Sequence, residues 1–93
     1  MNKGQDDIEY RKLLIEVINE EIKSNDETEE RLRLEKKYGK ENVWNTEELK
    51  NNFIVHSFLA PFVRVTRKDN SNEKGTLLFQ HIPRFYFKVT LFY

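Results

Sequence analysis

The chain of 93 residues has no cysteine, so disulfide bonds, thiolate catalysis and cysteine-ligated zinc are excluded. No apolar run approaches the roughly 20 residues that a membrane-spanning helix needs. The first residues lack the apolar core of a secretory signal. The three glycines are scattered at Gly4, Gly39 and Gly75, so the chain has no glycine-rich phosphate loop. We therefore expect a cytoplasmic protein that makes no contact with a membrane and needs no cofactor.

Neither sign of charge is in excess over the whole chain, because 16 acidic residues balance 16 basic ones. The two signs are nevertheless unevenly distributed along the chain. Residues 1–52 hold 14 acidic and 10 basic residues, whereas residues 53–93 hold 2 acidic and 6 basic ones. All seven phenylalanines lie in the second segment. A zero net charge gives no bulk attraction to nucleic acid. The pattern predicts a single domain over 1–93, with an acidic helical part (1–39) beside a part that holds a short helix and an antiparallel sheet (43–93).

The N-terminal part begins with the signals of an amphipathic helix. Asp6 or Asp7 is a suitable helix cap, because a carboxylate accepts backbone N–H groups and favours the positive helix end. Apolar residues at helical spacing predict one buried face, widened by Val17: Ile8, Leu14, Ile15, Ile18 and Ile22. We expect this face to pack on the rest of the domain.

The end of this first helix is open to two interpretations. Ser24 or Asp26 can each cap a second helix over residues 27–38, because a glutamate follows each of them three residues later. Gly39 then stands where a C-cap glycine belongs. No glycine or proline forces a break, so one long helix over residues 7–38 is equally consistent with the sequence.

A short capped helix is predicted next. Asn45 is a good N-cap, and Glu48 follows it three residues later, as in a capping box. Trp44 before the cap and Leu49 after it form a hydrophobic staple. The helix covers residues 46–52, and the single tryptophan is interpreted as a core anchor rather than a ligand platform.

The remaining chain has the alternation and turn residues of strands. Pro61 cannot donate to a strand ladder, so it splits one extended stretch in two. Residues 69–75 form a polar hairpin loop ending in glycine. The predicted strands cover residues 53–59, 62–68, 76–81 and 83–93. In the second of them, Val63 and Val65 are predicted on one face, and Phe62, Arg64 and Thr66 on the other. The fold class is therefore α+β, with an N-terminal helix or helical hairpin, a short capped helix and a meander of three or four antiparallel strands.

No residue pattern indicates catalysis. His56 and His81 are the two histidines, and neither has acidic neighbours at metal-ligand spacing. Ser57 follows His56 directly, but neighbours along a strand point to opposite faces. We expect neither catalytic nor metal-binding residues, and we expect no enzymatic activity.

The last strand holds the clearest chemical signal. Period two places Phe85, Phe87, Val89, Leu91 and Tyr93 on one face. The other face interleaves cations with aromatic rings, and Arg64 is expected to join it: Arg84, Tyr86, Lys88 and Phe92. Such a face can stack bases and hold phosphates if it is exposed and contiguous. Nucleic-acid binding through these residues is one hypothesis.

Protein interaction is the preferred hypothesis. The sequence ends within a strand pattern at residues 91–93, with apolar residues on both faces. An apolar strand at a sheet edge pairs readily with another chain, so this strand is either central or completed by a partner. We expect a module that binds a protein partner, or itself, through a sheet edge or a helix face.

The amino-acid sequence of residues 44–87 resembles that of a family of short uncharacterised bacterial and phage proteins. The shared pattern has four parts: V-W-N-T-x-E-L from Val43, A-P-F-V from Ala60, R-K from Arg67, and F-Q-H-x-P-R-F-Y-F from Phe79 after a glycine turn. It covers about half of the chain. The resemblance implies that this half is a self-standing fold, with residues 1–38 a more variable addition, and it implies no activity or site.

Overall fold

The structure is a computed structural model that describes residues 3–69 and 72–92, with side chains at 8–69 and 72–90. Its elements in chain order are α1 (Lys3–Glu21), α2 (Glu27–Tyr38), a 3-10 turn (Lys40–Asn42), β1 (Val43–Trp44), α3 (Thr46–Asn52), β2 (Phe53–Leu59), β3 (Phe62–Arg67), β4 (Lys74–Gln80) and β5 (Phe85–Phe92). Over these residues the strands form one five-stranded antiparallel sheet, in the order β1-β5-β4-β3-β2. The predicted α+β class is confirmed, with one strand more than expected.

Two separate helices form the N-terminal part, which resolves the open question at residues 22–26. The carboxylate of Asp26 accepts a hydrogen bond from the backbone N–H of Glu29 at 2.9 Å, and this caps α2. At the other end Gly39 has a φ of 100°, and its N–H donates to the carbonyl of Glu35 at 2.8 Å. This conformation favours glycine, because a Cβ is strained there.

The start of α1 differs from the prediction. The helix begins at Lys3, so Asp6 and Asp7 lie inside it, and the prediction that one of them is the cap was wrong. No proline blocks the helix before these residues, so it extends by one more turn. Carboxylates within the first turns still stabilise the helix, because negative charge interacts favourably with the positive end of the helix dipole.

The predicted capping box of α3 is present. Asn45 accepts from the N–H of Glu48 at 2.8 Å, and Glu48 accepts from the N–H of Asn45 at 2.9 Å. Trp44 packs against the same core as Leu49 and meets the ring of Phe53 edge-on, with centroids 5.1 Å apart. The prediction that Trp44 is a core anchor is therefore confirmed.

Strand β1 is an element that the sequence did not predict. Its two residues pair with β5, Val43 opposite Phe87 and Trp44 opposite Tyr86. Two residues are too few to show alternation, and their partners lie more than 40 positions away in the chain. Only the folded sheet therefore reveals β1.

The sheet buries residues on both of its faces. The α3 face carries one core, to which α3 and the strands β2 to β5 contribute: Leu49, Phe53, Val63, Val65, Leu77, Phe79 and Tyr86. The α1/α2 face carries a second, smaller core between the sheet and the two long helices: Ile18, Leu34, Val43, Phe85 and Phe87. Strand residues thus alternate between two apolar environments, which is why Phe85, Tyr86 and Phe87 are all buried.

A bulge in β5 changes which residues share a face. Thr76 and Leu78 are two positions apart, but their partners Thr90 and Phe87 are three apart. The extra residue is accommodated at Lys88, whose φ is 57°. Beyond it the side chains change face, because one inserted residue inverts the alternation. The prediction that Val89 shares a face with Phe87 was wrong, since Val89 packs against the core of the α3 face. The side chain of Leu91 and all of Tyr93 lie outside the described residues.

The hairpin between β3 and β4 is tighter than predicted. Gly75 was assigned to the loop, but it is a residue of β4, opposite Val65 on one side and Leu91 on the other. The prediction for Gly75 was wrong because its ladder partners on two neighbouring strands were not visible in the sequence. Strand β2 has the predicted bounds, and β3 ends one residue earlier than predicted.

A buried polar network fixes α2 on the sheet. The carboxylate of Glu30 accepts hydrogen bonds from the guanidinium of Arg33 at 2.8 to 3.2 Å and from the amide of Gln80 at 3.2 Å. It also accepts from the backbone N–H of Lys23 at 3.0 Å. The network joins the α1–α2 connection, α2 and the end of β4, so the helices cover only the adjacent part of the α1/α2 face.

Among the residues that the structure describes, no helix is long and apolar enough to cross a membrane.

Candidate interaction surfaces

The predicted site residues do not form one face. Arg64 is exposed on the α1/α2 side of the sheet, between Phe62 and Thr66, while its neighbours Val63 and Val65 are buried on the α3 side. Tyr86 is only 2% exposed and belongs to the core with Val63 and Val65. The expectation that Arg64 and Tyr86 share a contiguous exposed face was therefore wrong. The reason is that both sheet faces are apolar near β5, so an aromatic ring there is buried whichever way it points.

Arg84 is held over the edge of the α3-face core. Its guanidinium lies 3.1 Å from Nδ1 of His81 and donates to the hydroxyl of Tyr86 at 3.2 Å. The same group lies over the ring of Phe79, 5.1 Å from its centroid. A guanidinium in this position covers the edge of an aromatic core, so Arg84 has a structural role. The sequence had instead predicted Arg84 to belong to a binding face.

The other two predicted site residues lie towards the far end of β5. Lys88 is exposed and occupies the bulge described above. Phe92 is the last residue of β5 and pairs with Lys74, but its side chain lies outside the described residues. Lys88 therefore lies two residues beyond Tyr86, at a bulge that interrupts the alternation of β5.

The uncovered part of the α1/α2 face contains an apolar concavity, which we call the open groove. Its volume is about 440 Å³, and its apolar side chains come from three neighbouring strands: Leu59, Phe62 and Leu78. Arg64, Thr76 and Thr90 complete the lining. Leu78 also packs against the core beneath α1 and α2, so the groove begins where the cover provided by the helices ends. The alternation in β3 correctly predicted Phe62 and Arg64 on one side.

The open groove continues into a polar and basic depression. His56, Ser57 and Lys74 line this depression together with Arg64, and no carboxylate is among its described lining residues. His56 is the extra residue of a bulge in β2, and its Nε2 lies 2.6 Å from the hydroxyl of Thr66. The surface therefore has an apolar end and a basic end. His56 and His81 are not neighbours, because β3 lies between β2 and β4.

Helix α1 carries a second apolar surface, which we call the α1 stripe. Tyr10, Leu13 and Val17 are spaced by three and four residues and are 58%, 57% and 40% exposed. Side chains at this spacing lie on one side of a helix. Val17 was expected to widen the buried face of α1, but it is exposed, and the spacing of these three residues by three and four was the available signal for a separate stripe.

The sheet has two exposed edges in the described part of the chain. β1 pairs with β5 only at Phe87 and Tyr86, so β1 leaves the later residues of β5 without a partner on that side. At the opposite edge, β2 carries the exposed side chains of Ile54 and Phe58. Its bulge at His56 disturbs the ladder, and such a bulge is a common protection of an edge against further pairing. The edge of β5 is therefore the better candidate for strand addition.

The groups with displaced pKa values belong to structural contacts rather than to these surfaces. A hydrogen bond from Arg31 lowers the pKa of Glu48, and the two side chains join α2 to α3 with atoms 2.7 Å apart. A hydrogen bond from Lys37 to Glu21, 2.6 Å long, raises the pKa of Lys37 and joins α1 to α2. Over residues 3–69 and 72–92, no group of three or more histidine, aspartate or glutamate side chains could hold a metal ion.

Comparison of the chain with protein-family models, with curated proteins and with solved structures found no match.

Proposed function

We propose that this protein is a non-enzymatic interaction module that binds a protein partner or a second copy of itself. The α1 stripe carries this proposal, because Tyr10, Leu13 and Val17 expose large apolar side chains on one side of a helix. Interaction sites are enriched in such clustered apolar and aromatic side chains. We place the interaction in the cytoplasm, as the sequence predicts.

The residues of the α1 stripe do not contribute to the packing of α1 on its own sheet. Ile18 is buried in the core of the α1/α2 face, and Ile15 and Ile22 are half-buried, so the helix is attached by this side. Burying one leucine or valine side chain contributes about 1.5 to 3 kcal/mol. Because Leu13 and Val17 are exposed, they contribute little of this burial free energy in the isolated chain, and they would contribute more of it when a partner covers them.

Site-specific photo-cross-linking tests the proposal. A benzophenone amino acid replaces Leu13, which is 57% exposed in the α1 stripe, or Leu32, which is 61% exposed on α2. The matched position 32 controls for exposure alone. We expect protein adducts from position 13 in living cells and far fewer from position 32. Equal yields from the two positions, or none from position 13, would contradict the proposal.

A second candidate function is nucleic-acid binding, which the basic end of the open groove favours. Arg64 and Lys74 lie beside Phe62 and His56 on a surface whose lining includes no carboxylate. Cations beside an aromatic ring can hold phosphates and stack a base. This version uses Arg64 from the predicted set but not Tyr86, which is buried.

Fluorescence anisotropy with labelled single-stranded oligonucleotides tests this candidate. We expect binding that weakens steeply between about 50 and 200 mM salt, because phosphate contacts release counterions. Arg64→Glu should then weaken binding at least about tenfold. The matched charge reversal Lys36→Glu, on the exposed end of α2, should leave it nearly unchanged. Absence of binding at low salt would exclude the candidate.

A further inference from the structure

We infer that the open groove receives the α1 stripe of a second copy of this chain, in a two-fold symmetric dimer. This inference rests on the proposed function and names the partner. Each copy contributes one stripe and one groove, so the dimer contains two equivalent stripe–groove contacts. A closed two-fold arrangement uses both surfaces of both chains and leaves neither open to further association.

The α1 stripe lies far around the helix from the side of α1 that packs on the chain's own sheet. At 3.6 residues per turn, the centres of the two sides are roughly 140° apart. The packed side is formed by Ile15, Ile18 and Ile22, and the stripe by Tyr10, Leu13 and Val17. A helix with two apolar sides so far apart is suited to lie between two sheets. The second sheet in the dimer is that of the partner.

The helices cover only part of the apolar α1/α2 face. A sheet face with apolar residues is normally covered by another layer. Here the buried network around Glu30 holds the helices against one part of the face, and Leu59, Phe62 and Leu78 remain in an open concavity of about 440 Å³. A second α1 laid over this concavity would complete the helical layer and place leucine and valine side chains in it.

The charges of the two surfaces are complementary. The exposed side of α1 beside the stripe carries three glutamates, Glu9, Glu16 and Glu20, and one lysine, Lys12, so it is acidic. The groove and its basic end carry Arg64 and Lys74 and no carboxylate among their lining residues. Acidic residues beside an apolar stripe and basic residues beside an apolar groove are complementary. Two grooves facing each other, or two α1 stripes side by side, would instead place like charges together.

The experiment measures the mass of the chain by light scattering over a range from about 1 μM to about 1 mM, the span in which such contacts are populated. The wild-type chain is expected to approach twice 11.3 kDa with rising concentration. Leu13→Asp, in the stripe, and Leu59→Asp, in the groove, should each give a monomer. Leu32→Asp, on α2, should dimerise as the wild type does. These three leucines are 53% to 61% exposed, so the substitutions should leave the monomer folded, which circular dichroism checks.

Mixing the two defective variants provides the decisive test. The intact stripe of Leu59→Asp fits the intact groove of Leu13→Asp, so an equimolar mixture should form a heterodimer, weaker than the wild-type dimer because one contact of two remains. Failure of the mixture to dimerise would overturn the stripe–groove pairing. A dimer that tolerates both substitutions would overturn it as well.

A wild-type chain that stays monomeric at 1 mM would also overturn the inference, and the cross-linking result then decides the fate of the proposed function. Adducts from position 13 to another protein would retain the interaction module with a different partner. No adducts would refute both proposals. Oligonucleotide binding by a monomer through Arg64 would assign the groove to nucleic acid instead.

Discussion

The amide of Gln80 donates a hydrogen bond to the carboxylate of Glu30 at 3.2 Å, and the two residues are 1% and 0% exposed. The carbonyl oxygen of the Gln80 side chain accepts from Arg33 at 3.2 Å, so the three side chains close a ring of hydrogen bonds. Gln80 also donates to the carbonyl of Pro83 at 3.0 Å. The ring sets where α2 lies on the sheet, and therefore which part of the sheet stays open.

Removing the charge at the centre of this ring should destabilise the fold. Glu30→Ala removes the carboxylate that accepts hydrogen bonds from Arg33 and from the amide of Gln80, and breaking a buried charge pair costs about 3 kcal/mol or more. Urea denaturation followed by circular dichroism measures the free energy of unfolding. Glu29→Ala, at an exposed neighbouring position, should change it by less than about 0.5 kcal/mol. Equal effects of the two substitutions would show that the ring contributes no stability.

The same carboxylate should make stability depend on pH in the acid range. Burial raises the pKa of Glu30, but hydrogen bonds from Arg33, Lys23 and Gln80 outweigh it and place the pKa below its ordinary value. A carboxyl group whose pKa is lower in the folded state than in the unfolded state stabilises the fold fully at pH values above its unfolded-state pKa. This stabilisation is lost as the pH falls through the folded-state pKa. The urea midpoint should therefore fall between about pH 6 and about pH 3, and less so in Glu30→Gln. The pKa of Glu48 is lowered too, so some pH dependence remains in the variant. An identical pH profile for both proteins would contradict the prediction.

The ion pair between Arg31 and Glu48 should couple α2 to α3 modestly. Its atoms are 2.7 Å apart, but the side chains are 29% and 40% exposed, so solvent screens the pair. A double-mutant cycle with Arg31→Gln and Glu48→Gln should give a coupling energy of about 0.5 to 1 kcal/mol. Glutamine keeps a side-chain oxygen for the capping bond to Asn45, so the cycle isolates the charge. The coupling should shrink at high salt, and salt-independent coupling would show that it has another origin.

Gly39 should be the least replaceable of the helix-terminating residues. Its φ of 100° is unfavourable for any residue with a Cβ. A Cβ added to Gly39 would nevertheless meet no close atom, because Nδ2 of Asn42 would lie at an ordinary contact distance of 3.4 Å from it. Gly39→Ala should lower the free energy of unfolding by about 1 kcal/mol, through backbone strain rather than collision. Gly39→Asn should cost about as much, because the ψ of 144° lies outside the left-handed helical region in which asparagine tolerates a positive φ. Thermal unfolding of the two variants measures both losses, and a variant as stable as the wild type would refute the prediction.

Local signals in the sequence predicted the caps and most of the element types. Asn45 with Glu48, Asp26 with Glu29, and Gly39 each act within a few residues, so their spacing predicts their contacts. The alternation of Val63 and Val65 against Phe62 and Arg64 was equally visible, and it correctly separated the two faces of β3.

The sequence by itself determined the capped helix α3, the glycine at the end of α2 and the faces of β3, because these depend on backbone geometry over a few residues. Only the tertiary structure decided the addition of β1, the bulge at Lys88 and the burial of Tyr86 away from Arg64. Each of these depends on a partner strand far along the chain. When both faces of a sheet are apolar, the local pattern cannot tell which one a ring will occupy, so the basic and aromatic residues of the predicted face were divided between the two sides of the sheet.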